Sequence, residues 1–598
     1  MSTAGPAVKE YDVTVIGGGP HGIGFATWVK KNRPQTRIAI VEKRAKPGYK
    51  IGESTRAPSV DSMLSLGPDM PMMRRLFQNK LGLHFWWTGP DSDEVGTHIN
   101  ASDFDETFQL ESRVLETMLL KTSERHGIDV YRGTEVDIDS SEVEGPTKEI
   151  RATGPEGEQL VFRSQLVCDA SGPASLIPTK LGLYSRDFGS FNTNAYFGYF
   201  RKKGVPDDVV SWDVSATNHL CFPEGWVWFI DIASWERAPQ ENLDAMVDHL
   251  LDLPDEESAS YPTRYELSEQ FGCPVEEYTS IGVVVRADVD TALDLPAEQR
   301  FQHYVDRYPG FTKIMDCYEL IPDAYDNHPT YAAYMDLVHH STQCAGDGWV
   351  AVGDAAFFVN PFLSPGLAYG AALAHLAAQN TVKALEAGDV SRAAFAEYER
   401  AATDIFAALI RELEMFYRGF RDSDSYERTQ VLKYAFSVTF ALARMLAAVG
   451  PEGELLGARA LKPTGRVPHP TGGGILNPDY TAVVSKVVDI AREGEASGEP
   501  PAETSKRIRD VIDPFMDQIR AMEGFERLQI GKVFMDYDDE LNRVEKEWSP
   551  LLRTWRCTTC RTFNLANFER CHVCGTEAPE GAVGDAFAIS APAPAPGH

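Results

Sequence analysis

Positive charge, long apolar runs and cysteine are all scarce in this chain, and each shortage removes a class of function. Of its 598 residues, 57 are Lys or Arg against 88 Asp or Glu, a formal charge of −31. A surface that negative repels phosphate backbones and anionic headgroups, which argues against general nucleic-acid or membrane-surface binding. No run of 18 apolar residues occurs; the best candidate, Tyr434 to Val449, carries Arg444 and is too short to cross a bilayer. The N-terminus reaches a β-branched run within about a dozen residues, with no basic start, long apolar stretch or small-residue cleavage site, so a secretory leader is not expected. Five of the nine cysteines (Cys168, Cys221, Cys273, Cys317 and Cys344) are scattered, the usage of reduced thiols in a cytoplasmic protein. There is no internal repeat and no second G-x-G-x-x-G.

What is present is globular: 43% hydrophobic and 24% charged residues. Tyr11 to Ile16 reads as a strand, Ile23 to Lys31 as a helix and Arg37 to Glu42 as a second strand. Between the first strand and the helix lies Gly17-x-Gly19-x-x-Gly22. The first glycine permits a tight turn, the second lets backbone approach a pyrophosphate, and the third lets helix and strand pack closely. Glu42, twenty residues after Gly22, is placed to bond a ribose hydroxyl.

Three further segments point to flavin rather than nicotinamide. Leu166 to Gly172 resembles the strand-end Asp-x-x-Gly of flavin hydroxylases, with Asp169 as its acid. Trp349 to Ala356 resembles their Gly-Asp motif, in which Gly353 and Asp354 would meet the ribityl chain. Arg113, in Glu111 to Leu115, matches the arginine that opens a helix near the flavin in that superfamily.

Over about residues 10 to 400 the chain resembles the flavin-dependent halogenases. Lys50-Ile51-Gly52-Glu53-Ser54 is similar to the family's Ile-Gly-Glu-Ser stretch, and Lys80-Leu81-Gly82-Leu83-His84-Phe85-Trp86-Trp87 to its K-x-G-x-x-F-x-W motif. Trp226-Val227-Trp228-Phe229-Ile230 is similar to most of W-x-W-x-I-P, with Asp231 where the family has proline. The resemblance implies FAD, a separate reductase, and a flavin hydroperoxide that oxidises halide to hypohalous acid. It makes Lys80 the catalytic lysine that delivers the halogen to an electron-rich aromatic or enolisable carbon, free or carrier-bound. Desolvation among Leu81, Leu83, Phe85 and Trp86 favours a neutral or hydrogen-bonding amine. The tryptophan pair shares one sheet face and would restrain monooxygenation. The family holds halide on backbone N–H groups of a Ser-x-Gly turn. Here the turn is Asn360 to Gly366, and Pro365 has no N–H. A flavin hydroxylase without halide chemistry and a flavoprotein docking module are the alternatives. His84, His339 and His340 read as structural or surface histidines.

Cys557-x-x-Cys560, ten residues, then Cys571-x-x-Cys574 is a four-thiolate zinc pattern. So short a segment cannot build its own core, so metal would supply its folding energy. With Trp555 and Asn564 it resembles the nucleoporin-type (Ran-binding) zinc fingers, which bind single-stranded RNA or ubiquitin. Thr562-Phe563 falls one place late for ubiquitin, and the acidic body argues against RNA, which leaves a structural or protein-docking finger.

The expected architecture is α/β. A three-layer FAD-binding Rossmann-like domain (8–190 and 330–400) is interleaved with an antiparallel-sheet substrate domain (191–329). A helical C-terminal part (401–548), a zinc knuckle (553–578) and a disordered tail (581–598) follow. Ile405, Leu409, Leu413, Phe416 and Phe420 form a helical core stripe. Pro451 to Pro478 and Glu493 to Ser505 read as linkers.

Overall fold

Val13–Ile16, Ile38–Glu42 and Leu166–Asp169 bury every residue, the mark of strands covered on both faces. They are the centre of a six-stranded sheet ordered Ala345–Gly346, Trp349–Ala351, Leu166–Asp169, Val13–Ile16, Ile38–Glu42, Asp129–Arg132. All its pairings are parallel except that of Ala345–Gly346 with Trp349–Ala351. This computed structural model describes residues 6–100, 106–186, 191–204, 216–253, 261–326, 328–420, 467, 470, 474–476, 478–520 and 554–584.

The first crossover helix, Pro20–Asn32, starts three residues before the expected Ile23 because Pro20 occupies a first-turn position, where a missing N–H costs nothing. It packs against the long helix Pro365–Ala387. A four-stranded sheet of Ala7–Glu10, Gln159–Ser164, Lys148–Thr153 and Glu135–Glu142 completes the three-layer α/β unit.

The second large sheet has eight strands, mostly antiparallel, with Thr193–Lys202, Glu276–Arg286, Gly225–Ser234 and Thr217–Phe222 in sequence across it. Leu83–Trp87 joins it in parallel beside Thr217–Phe222, and Gly96–Asn100 follows outside. Residues 83–100 therefore lie in the substrate sheet although the 8–190 range assigned them to the FAD-binding layer. Leu83–Trp87 is buried throughout because the sheet has a core on each face: Leu83, Phe85 and Trp87 lie in the main one and Trp86 in the second. Alternation then divides two cores. Trp226, Trp228 and Ile230 face the main core with Phe197 and Tyr199. Val227 and Phe229 face a second one, closed by helices Ala297–Arg307 and Pro309–Met315.

The stripe Ile405, Leu409, Leu413, Phe416 and Phe420 is buried; its first four members lie on helix Ala396–Gly419 and Phe420 caps it. The Glu493 to Ser505 segment is not a linker. It is the tight turn between helices Pro478–Ser497 and Pro501–Arg520, where Gly498 takes a φ of +68° and Pro501 opens the next helix. Residues 421–466 and 521–553, which include Tyr434 to Val449 and most of the first linker, lie outside the described residues, as does the tail beyond 584. The tail's first residues are bonded rather than loose: Gly584 N–H donates to Ala566 O at 2.7 Å. No described helix is long and apolar enough to cross a membrane.

Gly282 lies where the Trp228 ring crosses the sheet, and a Cβ there would come within 2.2 Å of the ring and 2.6 Å of Phe197 Cβ. Gly282→Ala is expected to destabilise the protein by about 1–3 kcal/mol through overpacking. A thermal melt checks this: the variant melts below the parent, and an unchanged midpoint would show that the ring is not held there.

Candidate active site and metal centre

The glycine turn has the geometry its residues require. Gly17 adopts φ +106°, and a Cβ on it would lie 2.3 Å from Ala170 O; a Cβ on Gly22 would lie 2.5 Å from Gly17 O. Strand, turn and helix are thus in near contact, and the helix's first N–H groups are left for a ligand. Glu42 ends its strand beside them, accepting from Gly18 N–H at 2.7 Å and Arg44 N–H at 2.9 Å. Asp169, on the neighbouring strand, accepts from Ser171 N–H at 3.0 Å and Ile177 N–H at 2.6 Å, which fixes the second strand-end turn. Burial raises its pKa against those bonds.

Gly353 and Gly370 are needed for a different reason: the His21 ring is slotted between them, so that a Cβ would come within 2.1 Å and 2.4 Å of it respectively. Burial lowers His21 to about 4, so it is neutral, and its Nε2 has no hydrogen-bond partner among the described residues. Asp354 sits alongside, raised to about 6 by burial against the opposing charge of Lys50. A narrow crevice runs from Gly353 and Asp354 past Asn360 to the start of helix Pro365–Ala387. At Gly366 a side chain would meet only the edge of Phe358, at 3.6 Å. A glycine cradle, an orphaned buried ring nitrogen and two acids fit a dinucleotide cofactor.

The cation against the fingerprint is Lys50, which sequence reasoning quoted only as part of a motif. Its Nζ lies 3.5 Å from the Cβ position of Gly19 and pairs with buried Glu116, and its N–H donates to Ser112 Oγ at 2.8 Å. Arg113 is engaged elsewhere. Its guanidinium donates to Trp235 O at 3.2 Å, Glu236 O at 2.5 Å, Ala238 O at 2.7 Å and Gln240 Oε1 at 3.2 Å. It therefore joins helix Ser112–Arg125 to the substrate domain rather than facing the glycine turn.

Lys80 ends the three-residue strand Gln78–Lys80 and has no exposed surface. Its Nζ donates to Thr55 O at 2.6 Å, immediately after Gly52-Glu53-Ser54, so the two quoted motifs meet at this bond. His219 lies nearby, lowered to about 3 by burial with Lys80 contributing, and its ring stacks on Phe85 at 4.4 Å. The same aromatic seat holds Phe362, 4.9 Å from the Trp226 ring, and Trp226 lies 5.9 Å from Trp228. Trp226 Nε1 donates to Tyr417 Oη at 2.5 Å, and Tyr417 Oη accepts from Asn360 Nδ2 at 3.0 Å. The tryptophan strand, helix Ala396–Gly419 and the Asn360 turn are thereby tied together. In that turn Ser364 N–H is spent on Pro361 O at 2.9 Å and Phe362 N–H on Asn360 Oδ1 at 2.8 Å. Asp231, where proline was expected, pairs across the sheet with Lys202 and accepts from Thr279 Oγ1 at 2.7 Å. Of the three histidines, His84 is buried, His339 Nε2 lies 3.0 Å from Asp354 O, and the His340 ring stacks on Phe406.

The four cysteines converge. Cys557 and Cys574 sulfurs are 3.5 Å apart, as are those of Cys560 and Cys571, and all four lie within 4.8 Å of one another. Tetrahedral zinc with thiolates at about 2.3 Å requires sulfurs about 3.8 Å apart, so the cluster fits that ion. Trp555, Leu565, Phe568 and Val573 form its small core.

The family model described as FAD binding domain matches residues 10–216. The flavin-dependent halogenase malA of Malbranchea aurantiaca is 30% identical, over 95% of this chain and 87% of that protein. A 1H-pyrrole-2-carbonyl peptidyl-carrier-protein chlorinase of Pseudomonas fluorescens is 24% identical, over 65% of this chain and 80% of its own. The crystal structure of halogenase PltM superposes with a TM-score of 0.66 at 16% identity, over 87% of this chain and 99% of that one, a likeness of fold.

Glu53 generates a pH dependence. It accepts from Tyr199 Oη at 2.6 Å, its second oxygen has no partner among the described residues, and burial pushes it up to about 7 from 4.5. Between those values the folded state keeps a proton that the unfolded state releases. Stability therefore falls as pH rises through that window, by about 3 kcal/mol for a shift of this size. Glu53→Gln removes the penalty, so apoprotein carrying it should melt above the parent at pH 8 and with it at pH 4. A lower midpoint at pH 8 would contradict a carboxyl buried in its neutral form.

Proposed function

The chain belongs to the flavin-dependent halogenase family, and on that premise we propose that Lys80 delivers halogen to an electron-rich aromatic or enolisable carbon of a free or carrier-bound substrate. The observation that carries this reading is the lysine with no exposed surface, its Nζ held on Thr55 O and its charge felt by the buried His219. Stripped of water, its Nζ can hold hypohalous acid by a hydrogen bond or as a haloamine instead of being solvated. A carbon–halogen bond then forms as the substrate carbon loses its proton.

FAD held here, reduced by a separate reductase, would supply with oxygen the two-electron oxidation of halide. The chain's part is to hold and shape. Gly17, Gly19 and Gly22 would admit the pyrophosphate, with Lys50 as the added cation, and Glu42 would bond the ribose. Asp169 fixes the adjoining turn, and Gly353 with Asp354 would line the ribityl chain. Arg113 secures the helix that anchors Lys50. Gly366 is the second residue of helix Pro365–Ala387, whose first-turn amides have no intrahelical acceptor and would be the donors left for halide where Pro365 has none. Pro365 is also the feature that favours a second reading, an FAD-dependent hydroxylase without halide chemistry.

Cys557, Cys560, Cys571 and Cys574 would hold zinc as a closed structural site of the nucleoporin type. The knuckle would dock a carrier protein, reductase or second subunit, and it also touches this chain's own body through the contacts described below.

Lys80→Ala tests the central assignment. With reductase, FAD and chloride or bromide, the variant should retain its flavin and oxidise it at the parent's rate. Halogenated product should fall on the order of 100-fold. Product formed at the parental rate would remove Lys80 from the reaction.

A further inference from the structure

The four-cysteine knuckle is not an appendage. It lies against the start of helix Arg264–Phe271, and the two fix each other. A helix leaves its first N–H groups without intrahelical acceptors. Here Thr263 N–H donates to Glu266 Oε2 at 2.7 Å and Glu266 N–H to Thr263 Oγ1 at 3.2 Å, a capping box. The two N–H groups between them go to the knuckle: Arg264 N–H to His572 O and Tyr265 N–H to Val573 O, each at 3.2 Å. Both acceptors lie inside the turn between Cys571 and Cys574, whose shape a bound metal sets.

The Arg264 side chain runs the other way, into the core, with 2% of the residue exposed. Its Nε donates to Arg75 O at 2.8 Å, its Nη2 to Arg74 O at 3.2 Å and to Phe77 O, and its Nη1 to Gln78 Oε1 at 3.4 Å. The first two carbonyls belong to the last turn of helix Met70–Leu76, and Gln78 begins the strand that ends at Lys80. A buried guanidinium with four neutral acceptors thus closes the helix end and grips the start of the lysine strand. A second line runs in parallel. The knuckle's Phe568 ring lies under the Arg74 guanidinium, 5.0 Å from it. Arg74 pairs with buried Glu106 through bonds of 2.7 and 2.9 Å, and Glu106 accepts from Asn79 Nδ2 at 3.0 Å. Gln78 is one contact away from a group the knuckle holds, and Asn79 is two, through Glu106 to Arg74.

We propose that Arg264 is a positioning residue through which the metal-bearing knuckle sets the strand that aims Lys80. The inference rests on Lys80 delivering the halogen. The glycine turn is built from other strands, so losing the knuckle's hold should uncouple the two halves of the reaction rather than stop both. Halide would still be oxidised at the flavin, but the halogen would escape to solvent instead of reaching substrate.

The test uses the full-length, FAD-loaded protein as parent, as Arg264→Gln and as Arg264→Lys, with reductase, bromide and a phenol. Halogenated phenol is measured beside halogen captured by a 1,3-diketone scavenger. Both variants should lose at least about ten-fold in halogenated phenol while the captured halogen rises to make up the total. Equal loss of both products, or no loss, would overturn the proposal. Hydrogen exchange supplies a readout independent of activity. Amides over 74–80 should exchange faster in Arg264→Gln and in parent treated with a zinc chelator, while those over 13–30 keep their rates. Unchanged exchange over 74–80 would overturn the proposal, and so would equal acceleration of both segments, which would make the knuckle a general support. Should Lys80→Ala still halogenate, the delivery role fails while the exchange result continues to judge the coupling.

Discussion

An amine with no exposed surface has to be held by the protein, and the seat around Lys80 is the constraint that much of this chain serves. Its strand is three residues long and cannot keep its own place. Each residue is fixed from outside: Gln78 by Arg264, Asn79 by Glu106, Lys80 by Thr55 O and by Thr107 Oγ1, which donates to Lys80 O at 3.0 Å. Thr55 is itself locked, its hydroxyl exchanging bonds with both the carbonyl and the N–H of Phe108, at 2.7 and 2.9 Å. Buried polar groups cost free energy unless every partner is present, so such a network specifies one arrangement.

The cofactor half and the lysine half share one apolar core, which links their geometry. The tryptophan strand reaches the Asn360 turn through Tyr417, a residue of the C-terminal helix, so three regions distant in sequence meet at one hydroxyl. That closure explains why the C-terminal stripe is buried rather than a separate helical domain's face. The turn that includes Pro365 is held by its own bonds, Phe362 N–H to Asn360 Oδ1 and Ser364 N–H to Pro361 O.

Much of this was legible in the chain because short-range chemistry dictated it. Three glycines after a β-branched run allow one turn, and the Cβ positions at Gly17 and Gly22 leave no room for another residue. Alternation placed Trp226 and Trp228 on one face, and the apolar neighbours of Lys80 argued for its burial. What was not legible is directional. Nothing in Glu111 to Leu115 shows that the Arg113 guanidinium turns toward Trp235 and Ala238, more than 120 residues away in sequence. Lys50 looked like one letter of a motif until the fold brought it to Gly19. The acidic, proline-bearing Glu493 to Ser505 has a linker's composition, yet Gly498 and Pro501 are the stop and start signals of two packed helices. The knuckle's metal pattern was plain, but its partner, Arg264, carries no signal in sequence because a buried arginine looks like any other.

The measurement that tests the account most directly is turnover with reductase, FAD and a candidate phenol, with chloride and bromide supplied separately and products read by mass. A family member whose buried Lys80 delivers halogen as proposed would give products whose mass and isotope pattern follow the halide supplied. Oxygenated product that forms at the same rate whichever halide is present, or with none, would contradict it and move the chain to the hydroxylases.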